Sequence, residues 1–146
     1  MDRYTKKIGL APGSLVHIGK KRSVKTKITV FNCQMGEQKE VQSIDDLKKI
    51  KNSHELHWIN ITGLHETIKI EQIGKLYDLH VLVLEDILHT NQRPKVQSFD
   101  EYLFIVLKML KTHGKKNKIE SDQFSIILGK NVVITFEESH TPKLQP

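Results

Sequence analysis

Apolar positions along this chain fall into two periods, and the switch between them marks its elements. Over His80 to Leu88, Val81, Leu84, Ile87 and Leu88 share one face of a helix wound at about 100° per residue; Leu82 and Val83 widen that face. A helix apolar on most sides is expected to be buried on most sides. Glu85 and Asp86 sit side by side within it, and carboxylates are rarely buried without a partner. The polar run Thr90-Asn91-Gln92-Arg93 follows, and Pro94 biases Arg93 towards extended backbone, so the helix ends near His89. Tyr102 to Leu107 is then continuously apolar and continued by Met109 and Leu110, which predicts a strand covered on both faces in the middle of a sheet.

The remaining pattern alternates short strands with short helices. Gly9, Pro12 and Gly13 punctuate an extended lead-in, and Leu15 to Ile18 reads as a short strand. Ile28 to Cys33 reads as a strand that Met35-Gly36 turns back into Glu40-Val41-Gln42, giving a polar hairpin. Ser43 is a natural N-cap for a helix over Asp45 to Lys51, with both aspartates in its first turn. Leu56 to Ile61 alternates as a strand with apolar character on both faces. A helix from about Glu66 to Tyr77 carries the stripe Ile70, Ile73, Leu76, Tyr77. Thr112 to Lys118 reads as a hydrophilic loop. Phe124 to Leu128 and Val132 to Phe136 are strands joined by a turn at Gly129-Lys130-Asn131, and the tail from Glu138 looks frayed. The order predicts an α+β fold, layered α/β/α, on a mixed parallel and antiparallel sheet of about seven strands with helices packed on its faces.

Length and composition narrow the function classes. The 146 residues make one domain, with 38% hydrophobic and 27% charged residues, and no apolar run approaches the ~18 residues of a spanning helix. No signal-peptide core is visible, and the single Cys33 fits a reducing compartment, the cytosol in the simple reading, as a buried inert thiol. A net charge of +6 invites a basic binding module for nucleic acid or an acidic partner. Its densest stretch, Lys20 to Lys27, lacks the interleaved aromatics that stack on bases, so a solvated loop is the simpler account. His54-Glu55-Leu56-His57 has neither the spacing nor the helix of a catalytic zinc motif, and no nucleophile elbow or dinucleotide fingerprint occurs. Nothing in these residues points to an enzyme.

Glu85-Asp86 keeps two readings. Periodicity alone makes the pair a solvated helix edge. Chemistry makes it part of a hard-cation site, since carboxylates supply the oxygen ligands of Mg2+ or Ca2+, with waters or a second chain completing the shell.

The block Leu82-Val83-Leu84-Glu85-Asp86-Ile87-Leu88-His89-Thr90-Asn91-Gln92-Arg93-Pro94-Lys95-Val96, followed by Tyr102 to Leu110, resembles the cytoplasmic domain of the CorA magnesium transporters. The likeness extends to Gly9 through Val16, to Trp58-Ile59-Asn60 with Gly63-Leu64-His65, and to Ser125 through Asn131 with Thr135-Phe136. The resemblance implies a mixed sheet between helices, forming the funnel wall of a homopentameric channel. It makes residues 1–146 the N-terminal regulatory domain on the cytoplasmic side of the cell membrane. It implies that Asp86 is the principal carboxylate sensing regulatory Mg2+ (Co2+ being an alternative ion) and that Glu85 is its helper. The partner carboxylate would come from the stalk helix of the neighbouring subunit. Stalk, membrane helices and a Gly-Met-Asn pore motif are expected beyond Pro146, and the membrane is met only through them. His89 stands where Asn is common in the family and Gln97 where Glu is common; both trim local negative charge. The family also includes zinc and cobalt transporters, so this domain leaves the ion open.

Overall fold

The computed structural model describes residues 9–19, 25–113 and 118–139. The first residues of the lead-in, most of the basic run after Gly19, the middle of the Thr112–Lys118 loop and the tail from 140 lie outside the described residues.

One seven-stranded sheet carries the fold, in the order β2-β1-β3-β7-β6-β5-β4. Its strands are β1 Lys27–Asn32, β2 Glu37–Val41, β3 His57–Thr62, β4 Lys95–Ser98, β5 Tyr102–His113, β6 Lys118–Gly129 and β7 Val132–Glu137. Only β3 and β7 pair in parallel, from His57↔Val132 to Thr62↔Glu137; all other neighbours are antiparallel. Because residues paired across strands point to the same side, the register puts Val30, Ile59, Ile134, Ile127 and Phe104 on one face.

That face is where the helices lie. α1 Ile44–Lys51 starts at Ser43, whose Oγ accepts from the Asp46 amide at 3.2 Å, as the sequence predicts. α2 Thr67–Leu76 and α3 Val81–Leu88 follow β3. Leu47 and Ile50, Ile70 and Ile73, and Val83, Leu84, Ile87 and Leu88 join the sheet's inner residues in a single core. Gly74 lets α2 meet α3 closely: a Cβ there would collide with the Leu84 side chain. The α+β class on a mixed seven-stranded sheet holds, and among the described residues all three helices share one face.

Three local expectations change. β5 is not the central strand: it lies one place from the edge, and only its inner face is deeply buried, through Phe104 and Val106. On its other face Ile105 is half-buried and Leu107 is 41% exposed. β7 takes the centre, where Ile134 and Phe136 are shut off from solvent. The polar link after α3 contains an unforeseen edge strand, β4, whose four residues show too little alternation to be read. Leu15 to Ile18 contributes only an isolated bridge, Ile18 to His89. β6 also begins earlier than its apolar run: the polar stretch from Lys118 is held by pairing along β5, and Asp122 and Gln123 within it are buried. Cys33 is exposed, just past the end of β1, so it is not the buried thiol expected.

Truncating Ile134 to Ala should therefore cost about 2–5 kcal/mol, as for other fully buried aliphatic side chains. Ile105→Ala on the outer face should cost less than half as much, since its cavity opens to water. Urea melts of both variants check the sheet order; equal losses would contradict it.

Candidate functional site

α3 is positioned at both ends before its carboxylates come into play. At its start, Asp78 takes a left-handed backbone (φ 55), which Asp tolerates better than most residues, and turns the chain out of α2. His80 is the N-cap: its Nδ1 accepts from the Leu82 amide at 3.2 Å, while its own amide donates to the Tyr102 hydroxyl at 3.0 Å. At the other end, the Ile18 amide donates to the Leu88 carbonyl at 2.9 Å, and the Thr90 amide donates back to Ile18 O at 3.0 Å. This satisfies a carbonyl that the helix itself leaves open. Four α3 residues are buried, but Val81 and Leu82 are 44% and 48% exposed, so burial is one-sided rather than all round.

Successive helix residues point about 100° apart, so Glu85 and Asp86 face different neighbours. The Glu85 Oε2 accepts from the Gly13 amide at 2.8 Å. Gly13 has φ +85, and a Cβ on it would stand 3.0 Å from Val81, so glycine lets the lead-in run close along the helix. The Asp86 carboxylate instead takes the Lys95 ammonium at 2.6 Å. Lys95 reaches back from the start of β4 with its Nζ 5.7 Å from the Phe104 ring centroid. The Asp86 and Lys95 side chains keep 20% and 29% of their surface exposed, so the pair is reachable from solvent.

A buried amide fixes the backbone under this pair. Gln123, 3% exposed, donates from Nε2 to the Asp86 carbonyl at 3.0 Å and accepts from the Gln92 amide at 3.0 Å. Nearby, the Lys108 Nζ donates to the Thr90 carbonyl at 3.1 Å. Burial pushes the Lys108 pKa below that of an ordinary lysine, partly opposed by Glu138 and Asp122. The two residues singled out from sequence therefore sit on one solvent-facing edge of α3, but each is engaged by a separate partner. Gly13, Lys95, Gln123 and Lys108 were not foreseen. Only Lys95 left a trace, as a cation placed after Pro94 where the chain must turn back.

The donor set suits a hard cation in kind but not in number. Carboxylate oxygens are the right ligands for Mg2+, which holds several waters and tolerates few protein donors. Among the described residues, no group of three His, Cys, Asp or Glu is arranged to hold a metal. Any cation at Asp86 must also contend with the Lys95 charge already there.

A family model described as "CorA-like Mg2+ transporter protein" matches residues 53–145. The "Cobalt/magnesium transport protein CorA" of Thermotoga maritima is 43% identical over 138 residues, 93% of this chain and 39% of that protein. The chain thus spans about two fifths of this curated relative's length. The solved soluble domain of CorA from Methanocaldococcus jannaschii superposes with a TM-score of 0.56 at 17% identity, covering 80% of this chain and 42% of that one. The ZntB cytoplasmic domain from Vibrio parahaemolyticus gives 0.53 at 14% identity, covering 81% and 46%. These two likenesses establish a shared fold.

The different partners of the two carboxylates are separable by hydrogen exchange. Glu85→Ala should speed exchange of the Gly13 amide roughly tenfold, the worth of a charge-assisted bond, while Asp86→Asn should leave it unchanged. An unchanged Gly13 rate in Glu85→Ala would mean that the lead-in is held by other contacts.

Proposed function

Because the chain belongs to the family of CorA-like Mg2+ transporter proteins, we propose that it is the cytoplasmic, ion-sensing regulatory domain of a divalent-cation channel. On this reading it performs no catalysis. The supporting observation is the Asp86 carboxylate: partly exposed, fixed on a short braced helix, and neutralised by a single lysine. Asp86, with Glu85 adding negative charge beside it, would hold regulatory Mg2+ or Co2+ at the edge of the domain, facing a neighbouring copy of the chain. A bound divalent cation would supply the positive charge that lets two acidic surfaces approach.

This domain's own residues set the limits of that role. Asp86 and Glu85 alone leave most of a Mg2+ shell to water, so the isolated chain should bind Mg2+ only at millimolar concentrations or above. At a ligand concentration equal to the dissociation constant the fold gains only about 0.4 kcal/mol. Strong sensing requires a carboxylate from a second subunit, which the family resemblance assigns to the stalk helix of the neighbour in a homopentamer. When the cation leaves, facing carboxylates repel and the subunits separate, linking ion binding to opening.

In a chain extended to the length of its relatives and placed in a membrane, Asp86→Asn should weaken inhibition by internal Mg2+ while leaving ion conduction intact. The measurement is transport current against internal Mg2+ concentration for both forms. Closure of both at the same concentration would reduce Asp86 to a helix-surface charge and end the sensing assignment.

A further inference from the structure

The cap that starts α3 is a histidine, and it works in only one protonation state. His80 Nδ1 accepts from the Leu82 amide at 3.2 Å. An amide N–H can only donate, so Nδ1 must carry no proton. The usual cap side chains, Ser, Thr, Asn and Asp, remain acceptors throughout the neutral range. An imidazole does not, since an ordinary one titrates at about pH 6.5.

No other side chain shares the task. The first turn, Val81 to Leu84, is apolar and holds no acidic residue. The His80 ring is kept at its post by stacking: the Phe99 centroid lies 6.2 Å away, and Tyr102 stacks on Phe99 in turn at 4.7 Å. From β5 the Tyr102 hydroxyl accepts from the His80 amide. The charges nearest in sequence are engaged elsewhere or open to water. Asp78, in the turn from α2, is held by Lys51 of α1 at 2.9 Å. Asp100 and Glu101, between Phe99 and Tyr102, are exposed. Gly13 of the lead-in, which packs on Val81, brings no charge. Among the described residues no carboxylate pairs with the His80 ring to offset a charge there.

We propose that His80 is a proton-operated cap, closing the first turn of α3 when neutral and releasing it when protonated. The imidazolium has a donor at both nitrogens and no acceptor. Its Nδ1–H would confront the Leu82 N–H, and its charge would stand at the positive end of the helix dipole. Phe99 can keep the charged ring stacked on its face, but stacking returns no acceptor to the amide. Acid therefore loosens the start of the helix that carries Glu85 and Asp86. The device uses neither carboxylate and stands whatever they bind.

Hydrogen exchange of the Leu82 to Glu85 amides tests the cap, alongside NMR titration of the His80 ring. Protection, corrected for the intrinsic effect of pH, is compared at about pH 7.5 and about pH 5.5, either side of the ordinary imidazole titration. In the wild type it should fall about fivefold on the acid side, the worth of an N-cap. His80→Asn supplies a cap that does not titrate, and its protection should be the same at both pH values. His80→Ala has no cap side chain and should be low at both. The other histidines remain in His80→Asn, so an undiminished acid response there would assign the effect to them and overturn the proposal. Unchanged wild-type protection while the His80 ring titrates would overturn it as well.

Discussion

The fold depends on one long-range pairing, the parallel ladder between β3 and β7. It brings together segments 75 residues apart, in register from His57↔Val132 to Thr62↔Glu137. Everything between them in sequence, including α2, α3 and β4 to β6, is the crossover that a parallel pair requires. On the inner face Ile59 lies beside Ile134 and Ile61 beside Phe136, all shut off from solvent. On the outer face the same ladder is tied by polar groups. Trp58 Nε1 donates to Thr135 Oγ1 at 2.9 Å, Thr135 donates to Asn60 Oδ1 at 2.7 Å, and Thr62 donates to Glu137 Oε1 at 2.9 Å. A register slip of one residue would send the isoleucines outward and these hydroxyls into the core.

That pairing sets where the carboxylates appear. With β7 held beside β3, the antiparallel run β7-β6-β5-β4 spreads to one side, and α3 covers its inner face. Gln123 of β6 can then support the α3 backbone at Asp86, and Lys95 of β4 can reach the Asp86 side chain. The site is thus made by two strands and a helix converging, with Gly13 of the lead-in closing its other side. The Asp86 charge is balanced by Lys95 rather than left bare. A surface ion pair of this exposure is worth at most about 1 kcal/mol, weak enough for a divalent cation to compete with.

What could be read from the sequence was what neighbours along the chain decide. The Ser43 cap, the β1–β2 hairpin and the start and stop of α3 all depend on residues within a few positions, and all are found where expected. Sheet order was not readable, because burial of a strand face depends on what lies across from it. An apolar run such as Tyr102 to Leu107 looks the same at the centre of a sheet as beside its edge. The same limit hid β4 and the early start of β6, whose stability comes from partners rather than from their own pattern. At the site, α3 and its two carboxylates were legible, but their partners at Gly13 and Lys95 came from tertiary geometry.

On the proposal that Asp86 binds the cation in competition with Lys95, Mg2+ titration of the wild-type chain against Lys95→Met is decisive. Methionine keeps most of the packing over Phe104 and removes the competing charge. Followed by the backbone shifts of residues 85–88, Mg2+ should bind Lys95→Met about fivefold tighter than wild type, the equivalent of about 1 kcal/mol of released ion pair. Equal or weaker binding in Lys95→Met would show that Lys95 does not compete for Asp86, and would contradict the account.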